Sequence, residues 1–341
     1  MYVRQAIGVK DILWDSWRIL VFAGVWAIVI DFVHDLLGYR AFALPVLPVT
    51  TIGIVISFYL GFKSTSAYNR WWEARQTWGD IINKSRTWAN HARNLVDTGE
   101  RVDRTVVDHL VLRHLAWVNA LAFQMRKTSR LKVSPHQHIF DYRLADETLM
   151  STSTPACFES YLSDQEVQDV TAFANPAFHI LRRQGDYLQE LYQQGILDNN
   201  RLVEMMRVLG ELYDCQGKCE RIKNTPFPRQ FSYFGRVFTW IFIVLLPMAF
   251  ISSFEDMANR IRLSGAESHE YIFLLVPFTM LISWVFYILE KVSDSCENPF
   301  EGGTTDVPVS ALTRIIEIDL LQSIDASEVP AAAQPKNGVL Y

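Results

Sequence analysis

Three stretches of the sequence carry no charged residue, and they limit what this chain can fold into. Ala41–Phe62 covers 22 positions, Val237–Phe254 covers 18 and Tyr271–Leu289 covers 19. A helix of about 20 apolar residues crosses the hydrocarbon core of a bilayer, which is about 30 Å thick. The three stretches therefore predict three transmembrane helices, over 41–62, 237–254 and 271–289.

A fourth apolar run near the start of the chain is shorter and ends in polar residues. Ile19–Ile30 is wholly apolar, and Asp31, His34 and Asp35 follow it. We expect a span over 19–37 whose polar residues lie at the far interface or face the interior of an assembly, because ionisable groups avoid lipid. Asp31 and Asp35 either ring an outer mouth and attract cations or pair with His34 or a neighbouring arginine. A buried helix of a soluble domain is the alternative for this run.

The positions of the basic residues predict the orientation of the spans. The two loops 38–40 and 255–270 are short, and the second has more acids than bases. The opposite ends of the runs are flanked by Lys10, Arg18, Lys63, Arg70, Arg75, Lys223, Arg229, Arg236 and Lys291. Because basic residues concentrate on the cytoplasmic side, and because the number of spans is even, we expect both termini in the cytoplasm.

The long segment between the second and third spans, 63–232, then lies in the cytoplasm. Its apolar residues recur at helical spacing, as in Leu202, Met205, Met206 and Leu209. We expect several long helices, interrupted near Asp97–Glu100 and by a loop over 129–154, and a flexible tail over 327–341. The predicted fold is an all-α membrane protein with four transmembrane helices and a large cytosolic helical domain, forming one domain over 1–341.

Composition and motifs argue against several functions. A net charge of −5 gives no basic face for a nucleic-acid partner, and four cysteines are too few for a disulfide scaffold. Cys215 and Cys219 lie one helical turn apart with no histidine nearby, so we interpret them as structural rather than as metal ligands. The sequence has no Walker loop and no GxSxG, HExxH or GxGxxG motif. We therefore expect no enzymatic activity, no cofactor and no bound metal.

Two parallel stripes mark the second span. Ile54, Phe58 and Phe62 are four residues apart and share one helical face. A stripe of small residues lies one position behind, at Gly53, Ser57 and Gly61. Small residues allow helices to approach closely in lipid, so the small stripe could pack on a neighbouring copy while the bulky stripe faces a shared axis. The alternative is that the bulky stripe faces lipid and the small one makes contacts within the chain.

Two further motifs resemble elements of the bestrophin family. The first is its GF and RWW signature at the end of the second membrane helix, here Gly61, Phe62, Arg70, Trp71 and Trp72. The second is its NPF element, here Asn298, Pro299 and Phe300. The segment 313–320 (TRIIEIDL) resembles the sequence that follows this element in bacterial members. The order of the spans and the long internal helical segment extend the resemblance over nearly the whole chain.

The resemblance implies a homopentamer in a bacterial inner membrane, with one axial pore, a narrow neck and a cytosolic vestibule. Matching through the RWW signature places the family's three neck positions on Ile54, Phe58 and Phe62. Matching through 225–228 (TPFP) places its cytosolic aperture near Asn200, in a segment that begins at Leu197. Asn200 is polar where the family usually has an apolar residue, which implies a wetter aperture or a shifted match.

The sequence departs from the animal members after the NPF element. Those members carry consecutive acids that bind Ca²⁺ there, whereas this chain has only the separated Glu301 and Asp306. Because Ca²⁺ takes six to eight oxygen ligands, we expect no calcium gating. Since the family includes anion-selective animal members and a cation-preferring prokaryotic member, the resemblance leaves both chloride and sodium open as permeant ions.

Three functions are compatible with these observations. The first is an ion channel that conducts small monovalent ions and whose partners are copies of itself and the bilayer. The second is a membrane-anchored receptor or scaffold whose segment 63–232 binds a partner. A secondary transporter is the third, and it would need helices broken at mid-membrane, for which Pro247 and Pro277 are candidates.

Overall fold

The computed structural model of the protein describes Met1, Val3 and residues 8–35, 43–96, 104–127, 155–335 and 338–341. Over these residues the regular structure is helical, with a single bridge residue at Val339, which confirms the all-helical prediction. The α-helices are α1 (Val9–Asp35), α2 (Val46–Leu95), α3 (Thr105–Lys127), α4 (Asp164–Thr171), α5 (Pro176–Gln193), α6 (Asn199–Asn224), α7 (Arg229–Arg260), α8 (Ala266–Ile272), α9 (Leu275–Cys296) and α10 (Val309–Ser323). A short 3₁₀ helix covers Pro155–Cys157.

Four helical segments are long and apolar enough to cross a bilayer. They are Ser16–Asp35, Val46–Leu95, Arg229–Arg260 and Glu267–Cys296. Each overlaps one of the four predicted spans. The last segment consists of α8 and α9, which only Phe273 and Leu274 separate.

The second span begins later than the charge-free stretch suggested. Residues 43–45 are not helical and α2 begins at Val46, directly after Pro45, while positions 41 and 42 lie outside the described residues. Proline lacks a backbone N–H and disfavours helical geometry in the residue before it, which explains why the helix begins only here. From Val46, α2 continues without interruption for 50 residues to Leu95.

The helices with internal prolines are not broken at their centres. α7 continues through Pro247 over its 32 residues, and the Trp26 indole donates a hydrogen bond of 3.0 Å to the nearby Val244 carbonyl. Pro277 lies in the first turn of α9, where a missing N–H costs little. The broken mid-membrane helices that a transporter would need are therefore absent from α7 and α9.

The chain divides into two compact units, and the first comprises Gln5–Asn69 and Phe227–Glu297. In it α1 packs against α7 and α9, and α7 packs against α8 and α9. Two apolar clusters form its interior, around Val49, Ile56, Leu60, Phe242 and Leu246 and around Ala27, Ile30, Ile251, Leu275 and Val276.

The second unit comprises Met1–Arg4, Arg70–Pro226 and Asn298–Tyr341. α3 is buried along most of its length and packs against α5, α6 and α10. The fully buried Trp78, Trp88 and Trp117 are the largest side chains of its core. The Trp88 indole donates to the Leu110 carbonyl at 3.1 Å and the Trp117 indole to Gln216 at 2.9 Å. These bonds satisfy the buried indole N–H groups of Trp88 and Trp117, whereas that of Trp78 has no hydrogen-bond partner among the described residues.

The end of the chain differs from the predicted flexible tail. Residues 328–335 form no helix, but the Leu340 amide donates to the Met1 carbonyl at 2.8 Å and the Ala311 amide donates to the Tyr341 carbonyl at 2.7 Å. Val339 is buried. The prediction is thus wrong for the last four residues, because apolar packing and backbone hydrogen bonds hold them at the start of α10. The predicted interruptions at Asp97–Glu100 and 129–154 lie outside the described residues.

Candidate pore surface and its supports

The bulky stripe on α2 is exposed. Ile54 is 53% exposed, Phe58 67% and Phe62 71%. With Ser57, Gly61 and Thr65 these three side chains line a shallow concave surface. No member of this set carries a charge. In this subunit the predicted neck residues are therefore available to face lipid, another subunit or a water-filled axis.

The opposite face of α2 fixes the direction of this stripe. Ile56 and Leu60 are buried, and they pack in one apolar cluster with Phe242 and Leu246 of α7. A helix that buries one face against its own subunit must present the other face outward. The orientation of the stripe is thus decided by packing within the unit.

The small residues Gly53, Ser57 and Gly61 do not act as one stripe. Gly53 is buried, and a Cβ built on it would lie 2.8 Å from the Phe242 ring. Gly61 is exposed, with no atom within 4 Å of such a Cβ, and Ser57 is also exposed. Gly53 therefore serves a contact within the subunit, contrary to the expectation that the whole stripe packs on a neighbouring copy. Ser57 and Gly61 remain available for that role.

A buried ionic cluster lies directly beyond Phe62. The Lys63 side chain is fully buried, and its Nζ lies 2.6 Å from Asp294, 3.1 Å from Glu297 and 3.6 Å from Glu290. Arg236 of α7 adds contacts of 2.9 Å to Asp294 and 3.5 Å to Glu290. Lys63 thus joins the end of the candidate neck on α2 to the last two turns of α9 and the residue after it, and Arg236 joins α7 to the same two turns.

Glu297 is the carboxylate of this cluster that lies beyond the end of α9. Burial and the neighbouring Asp294 carboxylate raise the pKa of Glu297 to about 7, although Lys63 and a hydrogen bond from Ser232 act in the opposite direction. The Ser232 hydroxyl donates to Glu297 Oε2 at 2.7 Å. Glu297 is therefore poised between its charged and neutral forms near neutral pH.

The RWW signature supports the second unit. Arg70 donates to the carbonyls of Ile222 and Thr225, at the C-terminal end of α6. A cation at this end of a helix satisfies free carbonyls and complements the helix dipole. The Trp71 indole donates to the Thr305 carbonyl at 3.0 Å, and Trp72 is 45% exposed. Arg70 and Trp71 therefore make specific structural contacts within the second unit.

The NPF element opens a tight loop built around Asp306. The Asp306 carboxylate accepts hydrogen bonds from the backbone amides of Phe300 at 2.8 Å, Gly302 at 2.6 Å and Val307 at 2.6 Å. Arg126 contacts the same carboxylate at 3.1 Å, and both side chains are almost completely buried. Phe300 is fully buried with φ of 83°, a left-handed conformation that non-glycine residues rarely adopt. Asp306 thus serves as an internal acceptor that holds the loop.

The predicted cytosolic aperture is only partly compatible with the structure. Leu197 is 2% exposed and belongs to the core of the second unit, so it cannot line an opening. This part of the prediction is wrong, because the side chain fills its own subunit. Asn200 is exposed in the first turn of α6, where its backbone amide donates to the capping Asp198 carboxylate at 2.8 Å. Asn200 remains a candidate for the aperture only because its side chain is exposed.

Cys215 and Cys219 are buried and carry free thiols. Burial raises the pKa of the Cys215 thiol to about 11 and raises that of Cys219 as well, so both stay protonated and unreactive near neutral pH. Among the described residues no group of three or more histidine, cysteine or acidic side chains could hold a metal ion.

Sequence reasoning missed the Lys63 cluster and the role of Asp306. One signal was available for the first, because Glu290, Asp294 and Glu297 are spaced four and three apart and so share one helical side. Nothing local identified Lys63 as their partner. The role of Asp306 has no sequence signal, since its partner Arg126 lies 180 positions away.

Comparison with a family profile covers most of the chain. The profile described as "Bacterial/Fungal Bestrophin protein" matches residues 9–322. The "Voltage-dependent anion channel-forming protein YneE" of Escherichia coli O157:H7 is 26% identical over 289 residues, covering 84% of this chain and 80% of that protein. The "Voltage-dependent anion channel-forming protein mll4386" of Mesorhizobium japonicum is 27% identical over 288 residues, covering 84% of this chain and 77% of that protein.

Solved structures share the fold. A bacterial bestrophin homologue from Klebsiella pneumoniae superimposes with a TM-score of 0.72 at 23% identity, covering 92% of this chain and 99% of that chain. At this level of identity the likeness shows the fold alone. Together with the four apolar helical segments, these relatives identify the chain as a multi-pass membrane protein.

Proposed function

The chain belongs to the bacterial and fungal bestrophin family, and on that premise we propose that it forms an ion channel by assembling five copies around one axial pore. Bestrophin is a channel family and not an enzyme family, which agrees with the prediction that this chain is not an enzyme. The relatives with anion-channel names match over more than four fifths of this chain, which supports the transfer of this activity.

One observation carries the proposal. Three uncharged side chains at one-turn spacing, Ile54, Phe58 and Phe62, are more than half exposed on a helix whose other face is fixed by packing. In a ring of five copies these side chains surround the axis and form a narrow apolar neck. Such a constriction passes ions only when it is wide enough to stay wet. The exposed Ser57 and Gly61 beside the stripe would let neighbouring copies approach closely.

The permeant ions are small and monovalent, and anions are favoured. The relatives are named as anion channel-forming proteins. The edges of phenyl rings carry a positive partial charge, so rings of Phe58 and Phe62 favour anions weakly. In this proposal the protein lies in the bacterial inner membrane with both termini and residues 63–232 in the cytoplasm, and Asn200 lies at the cytosolic aperture.

The channel is not gated by calcium in this proposal. Both oxygens of Asp306 accept backbone N–H groups, and Arg126 supplies the positive charge beside them. Glu301 pairs with Lys223 at 2.7 Å. The carboxylates of the two acids after the NPF element thus bind groups of the protein itself, whereas a calcium site needs several carboxylate oxygens that are free to coordinate the ion.

Reconstitution in planar bilayers tests the proposal. We expect single-channel currents, with a reversal potential in asymmetric sodium chloride that follows the chloride gradient. Replacing Phe58 and Phe62 with alanine should widen the neck and raise the conductance severalfold. The matched control is Phe278→Ala on α9, which removes a phenyl ring that is 49% exposed but lies outside the stripe. This control should leave the conductance unchanged.

Three results would contradict the proposal. A pure, folded protein that passes no ions and stays monomeric in detergent would favour a membrane-anchored receptor or scaffold. Equal conductance for the wild type and the Phe58→Ala, Phe62→Ala double variant would place the stripe away from the pore. A reversal potential that follows sodium would keep the channel but reject anion selectivity.

A further inference from the structure

Among the described residues, three acids and only two cations are in ion-pair contact with one another in the Lys63 cluster. Lys63 and Arg236 supply two positive charges, whereas Glu290, Asp294 and Glu297 supply three negative charges when all are ionised. The side chains of the three acids are only 4%, 17% and 9% exposed, in that order. An uncompensated charge at such a depth is costly, and the least costly remedy is a bound proton.

The contacts identify which acid takes the proton. Asp294 lies nearest to both cations, at 2.6 Å from Lys63 and 2.9 Å from Arg236, so it stays ionised. Glu290 lies between the same two cations at 3.6 and 3.5 Å. Glu297 contacts one cation, Lys63, which it shares with the other two acids, and its other polar neighbours are the Ser232 hydroxyl and the Asp294 carboxylate. Of the three ionised acids, Glu297 is therefore the one that nearby cations stabilise least.

The surroundings of Glu297 come from three helices. The groups that act on it or on its cluster are Tyr59 and Lys63 of α2, Ser232 and Arg236 of α7, and Glu290, Lys291 and Asp294 of α9. Glu297 Oε1 is buried and lies 3.1 Å from Lys63 Nζ. A proton on this carboxyl group would neutralise the excess charge without breaking the bond between Lys63 and Asp294.

We propose that the cluster binds one proton on Glu297, and that this proton controls how firmly Lys63 holds the inner end of the candidate neck. With Glu297 ionised, Lys63 has three carboxylate partners. With Glu297 protonated, it keeps Asp294 and Glu290 and loses the attraction of the third. Since Lys63 directly follows Phe62 on α2, the conformation of the last neck ring depends on the pH.

Protonation is measured independently of conduction. Infrared difference spectra of the full-length protein in liposomes, recorded between pH 5 and pH 9, should contain a carboxylic-acid C=O band that titrates with a midpoint near pH 7, as burial and Asp294 raise the pKa of Glu297 to about 7. The band should vanish in Glu297→Gln and persist in Glu301→Gln, which alters the ion pair of Lys223 and Glu301 instead. A spectrum without this band, or one that Glu297→Gln leaves unchanged, would overturn proton uptake.

Coupling to the neck is measured in planar bilayers with the same pH on both sides. This second part rests on the proposed channel function. The wild-type conductance should change with a midpoint near pH 7, and Glu297→Gln, which mimics the protonated acid, should keep the low-pH conductance at every pH. A wild-type current that does not depend on pH would overturn the coupling but leave the channel intact, whereas absence of any current would overturn the channel and leave the infrared result standing.

A second, milder variant keeps the proposal testable if Glu297→Gln misfolds. Ser232→Ala removes the hydroxyl that donates to Glu297 and leaves every charge of the cluster in place. Because this bond stabilises the ionised carboxylate, its loss should raise both midpoints by about one pH unit. A midpoint that stays in place or moves downward would contradict the assignment to Glu297.

Discussion

Asp306 offers the sharpest test of how the structure is held together. The Asp306→Asn variant keeps the size of the side chain, but it replaces one acceptor oxygen with an amide group that donates. Both carboxylate oxygens face donors: the amides of Phe300 and Val307 bind Oδ1, while the Gly302 amide and the Arg126 guanidinium bind Oδ2. Either orientation of the asparagine thus sets a donor against donors and removes the negative charge that faces Arg126.

The magnitude follows from burial. Arg126 and Asp306 are 1% and 3% exposed, so solvent screens their interaction little. Removing one partner of a buried ion pair costs about 3–5 kcal/mol. The loop also holds Phe300 at a positive φ of 83°, which the Asp306 bond to its amide helps to maintain. We expect local opening of 298–308 to become easier by about 4 kcal/mol, which is about a thousandfold in the opening equilibrium.

Hydrogen–deuterium exchange with mass spectrometry measures this effect on peptides that cover 298–308, in the purified protein in detergent. The matched control is Asp325→Asn, which alters an ion pair with Arg104 whose side chains are 63% and 66% exposed. Exposed pairs contribute little, so exchange should stay at the wild-type rate in this variant. Equal exchange in wild type and Asp306→Asn would refute the claim that this carboxylate holds the loop.

Two further predictions concern packing and pH. Gly53→Ala should destabilise the protein by about 1–3 kcal/mol, because its Cβ would lie 2.8 Å from the Phe242 ring. Gly61→Ala should not destabilise the protein, because the space around Gly61 is open. Equal thermal stability of the two variants in detergent would contradict this prediction. Burial lowers the pKa of His114 to about 3, below its ordinary value of 6.5. The folded state then binds fewer protons than the unfolded state, so His114 should make stability fall by at most about 1.4 kcal/mol per pH unit as the pH drops from 6.5 towards 3. A His114→Gln variant with an equally steep loss of stability over that window would exclude this residue as the cause.

The stripe on α2 shows how far local reasoning reached. The four-residue spacing of Ile54, Phe58 and Phe62 was enough to place them on one face, because helical periodicity depends only on positions along the chain. Whether this face was buried or exposed could not be predicted, since the rotation of a helix is set by its neighbours. The same limit explains Leu197, whose apolar character suited both an aperture and the core that the structure assigns to it.

The sequence by itself determined that this chain has four apolar segments that could each cross a membrane, and that it resembles bestrophins. Hydropathy and short motifs are properties of contiguous residues, so they can be read without knowing the fold. Only the tertiary structure decided that Lys63 is surrounded by acids more than 220 positions away, that Asp306 receives Arg126, and that Gly53 packs differently from Gly61. These contacts depend on the register and rotation of helices against each other, which arise from packing over the whole unit rather than from any local stretch of sequence.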